Sequence, residues 1–430
     1  MIHVVDVVMG SGKSSAAITY MNEHPEKRYL YVTPFLDETE RIARECAQAH
    51  FVEPSDRIKE FGHSKRSHLR HLVSQHRNVS LTHALFLMID DITAQMITDN
   101  GYTIIIDEVI DVFEMTSESE QDIDMLVTSG YLDKIRGDGR CDYYKPNPDN
   151  VYHGGVFDDF FARARYGELV MAEGIDEGKR ARFGFWQVNL RLFQMSEDIY
   201  ILTYLFDGMP MKGFLESYGL QFQYIGTKKC EDGKYRFCER GVVPEYVGRL
   251  SEMIHVNTKE GINAIGDDRY ALSVSWFKQA ATDGRLPQLS RSIQSFFRRH
   301  IPAENVTERR LWTVFSDFEK RTVREKFGTF LVFNSKAVNA YGDKSALAYC
   351  VNINPNPAMK NFLSNAHIAM DWDQYALAVM VQWIWRSRIR NNQEIWLYIP
   401  SRRMRTLFLR WMRETEENYK KNTEVMQIEG

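Results

Sequence analysis

His3-Val4-Val5-Asp6-Val7-Val8-Met9-Gly10-Ser11-Gly12-Lys13-Ser14-Ser15 is an apolar run followed by two glycines, a lysine and two serines. A helix-like segment continues from Ser14 to Glu23. Strand, glycine-rich turn and helix in that order form a loop that holds phosphate. The glycines let backbone N–H groups wrap a β-phosphate, and the helix N-terminus adds partial positive charge. Gly10, Ser11, Gly12, Lys13, Ser14 and Ser15 are the expected nucleotide-binding set. Within it, Lys13 reaches the β- and γ-phosphates and Ser14 binds Mg²⁺. The usual pattern has Gly or Ala five residues before the second glycine, where Val7 stands here. A bare Gly-Ser turn with a chance lysine is the competing reading, and the flanking strand and helix count against it.

Working outward, the first hundred residues alternate short strands with helices. Expected strands are His3 to Met9, Arg28 to Val32, Val79 to Leu81 and Tyr102 to Ile106, with helices over Ser14 to Glu23 and Asp37 to Gln48. Such alternation implies a parallel sheet flanked by helices. The strand at Tyr102 ends in Asp107-Glu108, and the carboxyl ends of parallel strands line the ligand crevice. Asp107 is thus placed to hold Mg²⁺ through water, and Glu108 to orient or deprotonate an attacking water. No Asn-Lys-x-Asp guanine-reading motif is found.

After Asp111 the alternation breaks. Residues 112–195 read as an insertion, mostly helical, and Asp198 to Leu205 returns to buried-strand character. A second lobe is expected over 212–420, with strands at Tyr270 to Trp276, Thr329 to Phe333, Ala346 to Asn352 and Glu394 to Ile399. Its helices are expected at about 284–300, 373–385 and 402–420. Residues 421–430 read as a polar tail. The first lobe then comprises 1–111 and 196–211. Late in the second lobe, Gln382-Trp383-Ile384-Trp385-Arg386-Ser387-Arg388-Ile389-Arg390 follows an apolar helix. A glutamine with arginines close behind suits a sensor plus arginine fingers, which stabilise charge on a transferring phosphoryl group. The bland alternative is a basic helix end whose tryptophans fill the core.

The chain has 430 residues, net charge -4, 44% hydrophobic and 26% charged residues. That length calls for two domains. No apolar stretch is long enough to span a membrane, and the N-terminus lacks a signal core. Five cysteines do not make a secreted disulfide scaffold, so a cytoplasmic protein is expected. Cys230 and Cys238 flank an Asp232-Gly233 turn and are placed to face each other across a hairpin; no further ligand pair for zinc stands nearby.

Taken in order, these motifs resemble a superfamily 2 helicase, and most closely the compact DEAD/DEAH-type helicases of tailed phages and prophages. Gly10 to Ser14 resembles motif I, Tyr31-Val32-Thr33-Pro34-Phe35-Leu36 motif Ia, Ser80-Leu81-Thr82-His83 motif Ib and Asp107-Glu108-Val109-Ile110 motif II. Leu202 to Phe206 stands where motif III couples the sites, Ser273-Val274-Ser275-Trp276 is a candidate motif IV, Phe333 to Tyr341 resembles motif V, and Gln382 to Arg390 motif VI. The resemblance implies an α/β P-loop NTPase with two RecA-like parallel-sheet lobes and an insertion in the first. It implies ATP and Mg²⁺ as cofactors, catalysis by Lys13, Asp107, Glu108, Gln382, Arg386 and Arg390, and coupling through Thr203. The usual second arginine of motif VI falls at Ile389, leaving Arg388 or Arg390, of which Arg390 is preferred. Thr33, Pro34, Thr82, His83, Ser335 and Asn339 are the expected nucleic-acid contacts, mainly to phosphate oxygens. The insertion, with Arg163, Arg165, Tyr166, Arg180, Arg182, Phe183, Phe185 and Trp186, is a further contact surface or a packed strand.

The activity implied is ATP-dependent translocation on single-stranded or forked DNA with strand separation, in phage replication or recombination, by a monomer in the host cytoplasm working beside replication or recombination proteins. Motif II reads Asp-Glu-Val-Ile, and almost no chain precedes motif I to hold an adenine-reading glutamine motif. Both points favour DNA over RNA. A translocase that does not unwind, an RNA helicase, a packaging ATPase and a nucleotide-gated binding module are the rival readings.

Overall fold

The computed structural model describes residues 1–176, 179–239, 241–302, 306–322, 327–335 and 340–429. They fall into two compact units. The first comprises 1–7, 12–242 and 355–371, the second 8–11, 243–354 and 372–430.

In the first unit β1 (Ile2–Asp6), β2 (Arg28–Thr33), β3 (Val79–Thr82) and β4 (Tyr102–Asp107) alternate with helices Lys13–Glu23, Leu36–Glu45, Lys65–Ser74 and Asp91–Asp99. Their residues are almost continuously apolar because helices cover both faces of a parallel sheet; Val4, Val5, Leu30, Val32 and Ile104 to Ile106 are fully buried. The chain then leaves for β5 (Phe113–Met115), β6 (Leu132–Gly137), β7 (Cys141–Pro146), β8 (Gly167–Asp176) and β9 (Lys179–Val188). It returns with β10 (Ile199–Thr203), β11 (Phe222–Lys229) and β12 (Tyr235–Cys238). The main sheet has the order β12-β11-β1-β10-β4-β2-β3. All its pairs are parallel except the hairpin β11–β12. Register aligns Asp6 with Thr203, Leu202 with Asp107 and Thr33 with Thr82, so these side chains share the sheet's carboxyl edge.

Four expectations for this unit are corrected. The insertion is not mostly helical: β5 to β9 form a five-stranded antiparallel sheet of order β5-β9-β8-β7-β6. One face packs Leu169, Met171 and Trp186 against Ile123 and Leu126 of helix Glu120–Thr128 and Phe160 of helix Asp158–Ala164. On the other, Phe185 stacks on Phe362 with centroids 4.5 Å apart. Burial on both faces removes the polar alternation that marks a strand. Phe362 lies on helix Pro357–Asn365, which belongs to this unit although it lies far along the chain. Finally, the boundary expected at 212 falls at 243, because β11 pairs with β1 and brings β12 with it. In that hairpin Cys238 stands opposite Gly226 and Cys230 lies in the turn beyond Lys229, so the two cysteines are not partners across the strands.

The second unit is a parallel sheet of order β13-β17-β16-β14-β15. Its strands are β13 (Ile254–Val256), β14 (Arg310–Thr313), β15 (Thr329–Phe330), β16 (Ala346–Tyr349) and β17 (Ile395–Tyr398). Helices Val274–Asp283, Arg285–Arg299, Trp372–Ile384 and Arg402–Glu429 accompany it. Trp276, Phe277, Leu289, Phe296, Trp312 and Tyr398 join in its core. Both units are thus α/β with parallel sheets, the two RecA-like lobes expected from the motif order.

Tyr270 to Trp276 is not a strand. The Ser273 hydroxyl accepts from Trp276 N–H at 3.3 Å and caps helix Val274–Asp283, placing Ser273 to Trp276 at a helix start. A serine cap followed by Trp276, Phe277 and Ala280 on one buried face selects helix over strand. Helix Arg402–Glu429 runs on into the polar tail. Among the described residues no helix is long and apolar enough to cross a membrane.

Candidate nucleotide site

The glycine-lysine turn joins β1 to helix Lys13–Glu23. Gly12 caps the helix in the left-handed region, φ 75°, and Gly10 has φ 83°. A side chain at 12 meets two obstacles, the backbone angle and the ring of Tyr235 on β12, which a Cβ would overlap. The neighbouring hairpin is tied to the helix by Arg236, whose Nη2 lies 2.6 Å from Glu23. At Gly10 a Cβ would lie 3.4 Å from the Tyr246 hydroxyl, which donates to the Met9 carbonyl. Neither tyrosine was legible as part of the loop in sequence, because each arrives from more than two hundred residues away.

Lys13 Nζ donates to the Val7 carbonyl at 2.7 Å. Burial lowers its pKa to about 8 against the attraction of Asp107, Asp6 and Glu108. Ser14 lies on the same turn, with Oγ 3.5 Å from Asp107 Oδ2. Ser11 is buried, and Ser15 is exposed on the helix.

Asp107 closes β4, which is separated from β1 by β10. Its Oδ2 also accepts from the Tyr31 hydroxyl at 3.0 Å, and its backbone carbonyl lies 2.9 Å from His83 Nε2. Desolvation raises the Asp107 pKa, opposed by Tyr31 and Lys13. Nearby Glu38 is pushed up to about 6 by burial and then by the charge of Asp107. Glu108 leaves the strand with φ 62°, and its N–H donates to the Leu202 carbonyl at 3.0 Å.

Thr203 ends the intervening strand. Its carbonyl accepts from Val7 N–H at 3.3 Å, while Asp6 accepts from Leu205 and Phe206 N–H at 2.7 and 3.0 Å. The end of β10 is therefore bonded both to the glycine-lysine turn and to the acid pair. Thr203 itself is buried.

A hydroxyl and a carboxylate facing one point are hard oxygen donors, and Mg²⁺ is ordinarily held by one or two carboxylates plus substrate phosphates. Ser14 and Asp107 fit that role. Among the described residues no cluster of three or more His, Cys, Asp or Glu forms a metal cage.

In the second unit Gln382 sits near the end of helix Trp372–Ile384. Trp383 and Trp385 are buried, as are Trp276 and Trp312, and Trp383 Nε1 donates to the Leu331 carbonyl at 3.1 Å. Arg386 is 8% exposed. Arg388 donates to the Glu394 carbonyl and lies over the Trp396 ring at 5.6 Å, whereas Arg390 is exposed. Ile389, which stands where the second arginine is usual, is fully buried.

The expected nucleic-acid contacts are dispersed in character. Thr33 is fully buried and His83 is turned inward onto Asp107, so neither is a surface donor, whereas the half-buried Thr82 hydroxyl accepts from Leu85 N–H at the start of helix His83–Phe86 and keeps its own O–H. Pro34 and Ser335 are partly exposed. Asn339 lies outside the described residues. In the insertion Phe185 and Trp186 are core residues, while Arg182 pairs with Asp142 at 2.7 Å and Arg163 with Glu114.

A family model for the YonV C-terminal Rossmann-like domain matches residues 248–412. Solved structures similar to the chain include the following two. The first, titled XPD_Helicase, has a TM-score of 0.41 and 11% identity, covering 99% of this chain and 95% of that one. The second, a structure of S. tokodaii Xpd4, has a TM-score of 0.39 and 11% identity, covering 95% and 94%. The SPbeta prophage-derived uncharacterized protein YonV of Bacillus subtilis (strain 168) is 30% identical over 416 residues, covering 96% of this chain and 98% of that protein. The chain belongs to the family of this prophage-derived protein.

Proposed function

We propose that this protein is an ATP-dependent DNA helicase of superfamily 2, which couples hydrolysis to movement on single-stranded DNA and to strand separation or branch remodelling. The observation that carries the reading is the meeting of Ser14 with Asp107 at 3.5 Å, beside Lys13 and Glu108, on the carboxyl edge of one sheet. In this reading Lys13 leaves the Val7 carbonyl for the β- and γ-phosphates, and backbone N–H groups from Gly10 to Ser14 bind the β-phosphate. Ser14 and Asp107 would hold Mg²⁺, which supplies charge neutralisation on the phosphates. Glu108 takes the proton of the attacking water. Gln382, Arg386 and Arg390 act on the γ-phosphoryl group, as the motif resemblance implies. The backbone bonds that Glu108 N–H and Val7 N–H donate to the Leu202 and Thr203 carbonyls support a coupling role for this strand end. A place in phage replication or recombination, in the host cytoplasm, accords with a prophage-derived relative.

The decisive experiment is ATP turnover with single-stranded DNA, forked DNA, RNA and no nucleic acid. Stimulation by single-stranded DNA, abolished in folded Lys13→Ala protein, is the expected result. An unchanged rate in that variant removes the proposed site from the chemistry. A strand-displacement assay run beside it separates a helicase from a translocase that does not unwind.

Binding to single-stranded DNA is expected to weaken with salt. Four to six phosphate contacts give a log-log slope of roughly -3 to -4. A flat titration rules out a grip through the backbone.

A further inference from the structure

Tyr31 lies inside β2, fully buried. Its ring packs among Val5, Ala17, Ile42 and Ile105, between the sheet and the helices Lys13–Glu23 and Leu36–Glu45. A phenylalanine would fill that space equally well. What the tyrosine adds is one hydroxyl, and a buried hydroxyl needs a partner. Here the partner is Asp107 Oδ2 at 3.0 Å, on the strand that pairs directly with β2.

Asp107 is thereby held from two directions. Tyr31 fixes the side chain, and His83 meets the backbone carbonyl at 2.9 Å. Such fixing matters because Glu38 brings negative charge near the same carboxylate. A hydrogen bond donated to an ionised carboxylate favours the charged, oriented form over rotation or protonation. One oxygen is engaged by Tyr31, and the carboxylate keeps the orientation in which Ser14 approaches it.

We propose that Tyr31 is a positioning residue, which orients Asp107 for a divalent cation bound with the nucleoside triphosphate. The inference rests on the proposed reading of the site and adds a residue outside its glycine-lysine and acid motifs.

The test is binding of a fluorescent ATP analogue to the full chain, in EDTA and across a Mg²⁺ titration, for Tyr31→Phe and wild type. Expected for Tyr31→Phe is unchanged affinity in EDTA and a Mg²⁺ midpoint raised about tenfold, the effect of losing one hydrogen bond to a charged group. Tyr29→Phe is the control. Tyr29 is also fully buried on β2, but its hydroxyl donates to the His24 carbonyl, so its Mg²⁺ midpoint stays at the wild-type value. A wild-type midpoint in Tyr31→Phe overturns the proposal. So does an equal loss of affinity with and without Mg²⁺, which marks a support for the fold alone. Lys13→Ala separates the two levels. If wild type binds the analogue and Lys13→Ala does not, a wild-type midpoint in Tyr31→Phe sinks the positioning role alone. If Lys13→Ala binds as wild type does, the site reading falls and the proposal with it.

Discussion

Glu108→Gln is expected to slow DNA-stimulated ATP turnover by about 10²- to 10⁴-fold while nucleotide binding persists. The substitution keeps size and hydrogen-bonding capacity and removes the basic carboxylate. It also keeps a side chain at a strained backbone position. Glu108 has φ 62°, and a non-glycine residue there costs on the order of 1–2 kcal/mol. The strain has a visible effect: β4 ends at Asp107, and the chain turns out of the strand direction at the next residue. The bond from Glu108 N–H to the Leu202 carbonyl secures that turn, and it does not involve the side chain. A loss of turnover in Glu108→Gln therefore reports on chemistry and not on the turn. Single-turnover hydrolysis beside equilibrium binding of the analogue makes the measurement, and turnover within about threefold of wild type would remove Glu108 as the base.

Arg386→Ala is expected to lower turnover by roughly 10³- to 10⁵-fold, the range for an arginine that meets the transferring phosphoryl group. Ground-state binding should change far less, because the charge it stabilises grows only on the way to the transition state. Burial complicates the substitution. Arg386 is 8% exposed and follows Trp385, so removing it also disturbs packing, and a thermal melt must accompany the kinetics. Arg386→Lys retains the charge but not the planar fork, and is expected to rescue folding without restoring the rate. Arg388 and Arg390 differ in the same experiment. Arg388 is committed to the Glu394 carbonyl and the Trp396 ring, so Arg388→Ala should act mainly on stability. Exposed Arg390 is the one expected to affect rate. A well-folded Arg386→Ala protein that turns over normally would take Arg386 out of the phosphoryl chemistry.

The glycine-lysine turn and the strand ending in two acids are legible because their signals are local. Glycines between an apolar run and a helix, or two carboxylates closing an apolar strand, occupy a few consecutive residues. The same holds for helix Arg285–Arg299, whose apolar periodicity is strong. Signals failed where local pattern is ambiguous. Tyr270 to Trp276 is a short apolar run that suits strand or helix, and the Ser273 cap decided it. In the insertion the centre of β8 and β9 is buried on both faces, against Phe362 on one side and Phe160 on the other, so the alternation that marks a strand is lost there.

By itself the sequence determined that the chain holds parallel α/β units, that Lys13 and Ser14 follow a glycine turn between strand and helix, and that Asp107 and Glu108 close a strand. Only the tertiary structure decided that β10 lies between the two motif-bearing strands, that the first unit reaches to residue 242, and that Tyr31 and Tyr235 close on Asp107 and Gly12. The reason is that parallel pairing joins segments far apart in the chain. Which strand lies beside which is set by the burial of both sheet faces at once, and no short stretch of residues records it.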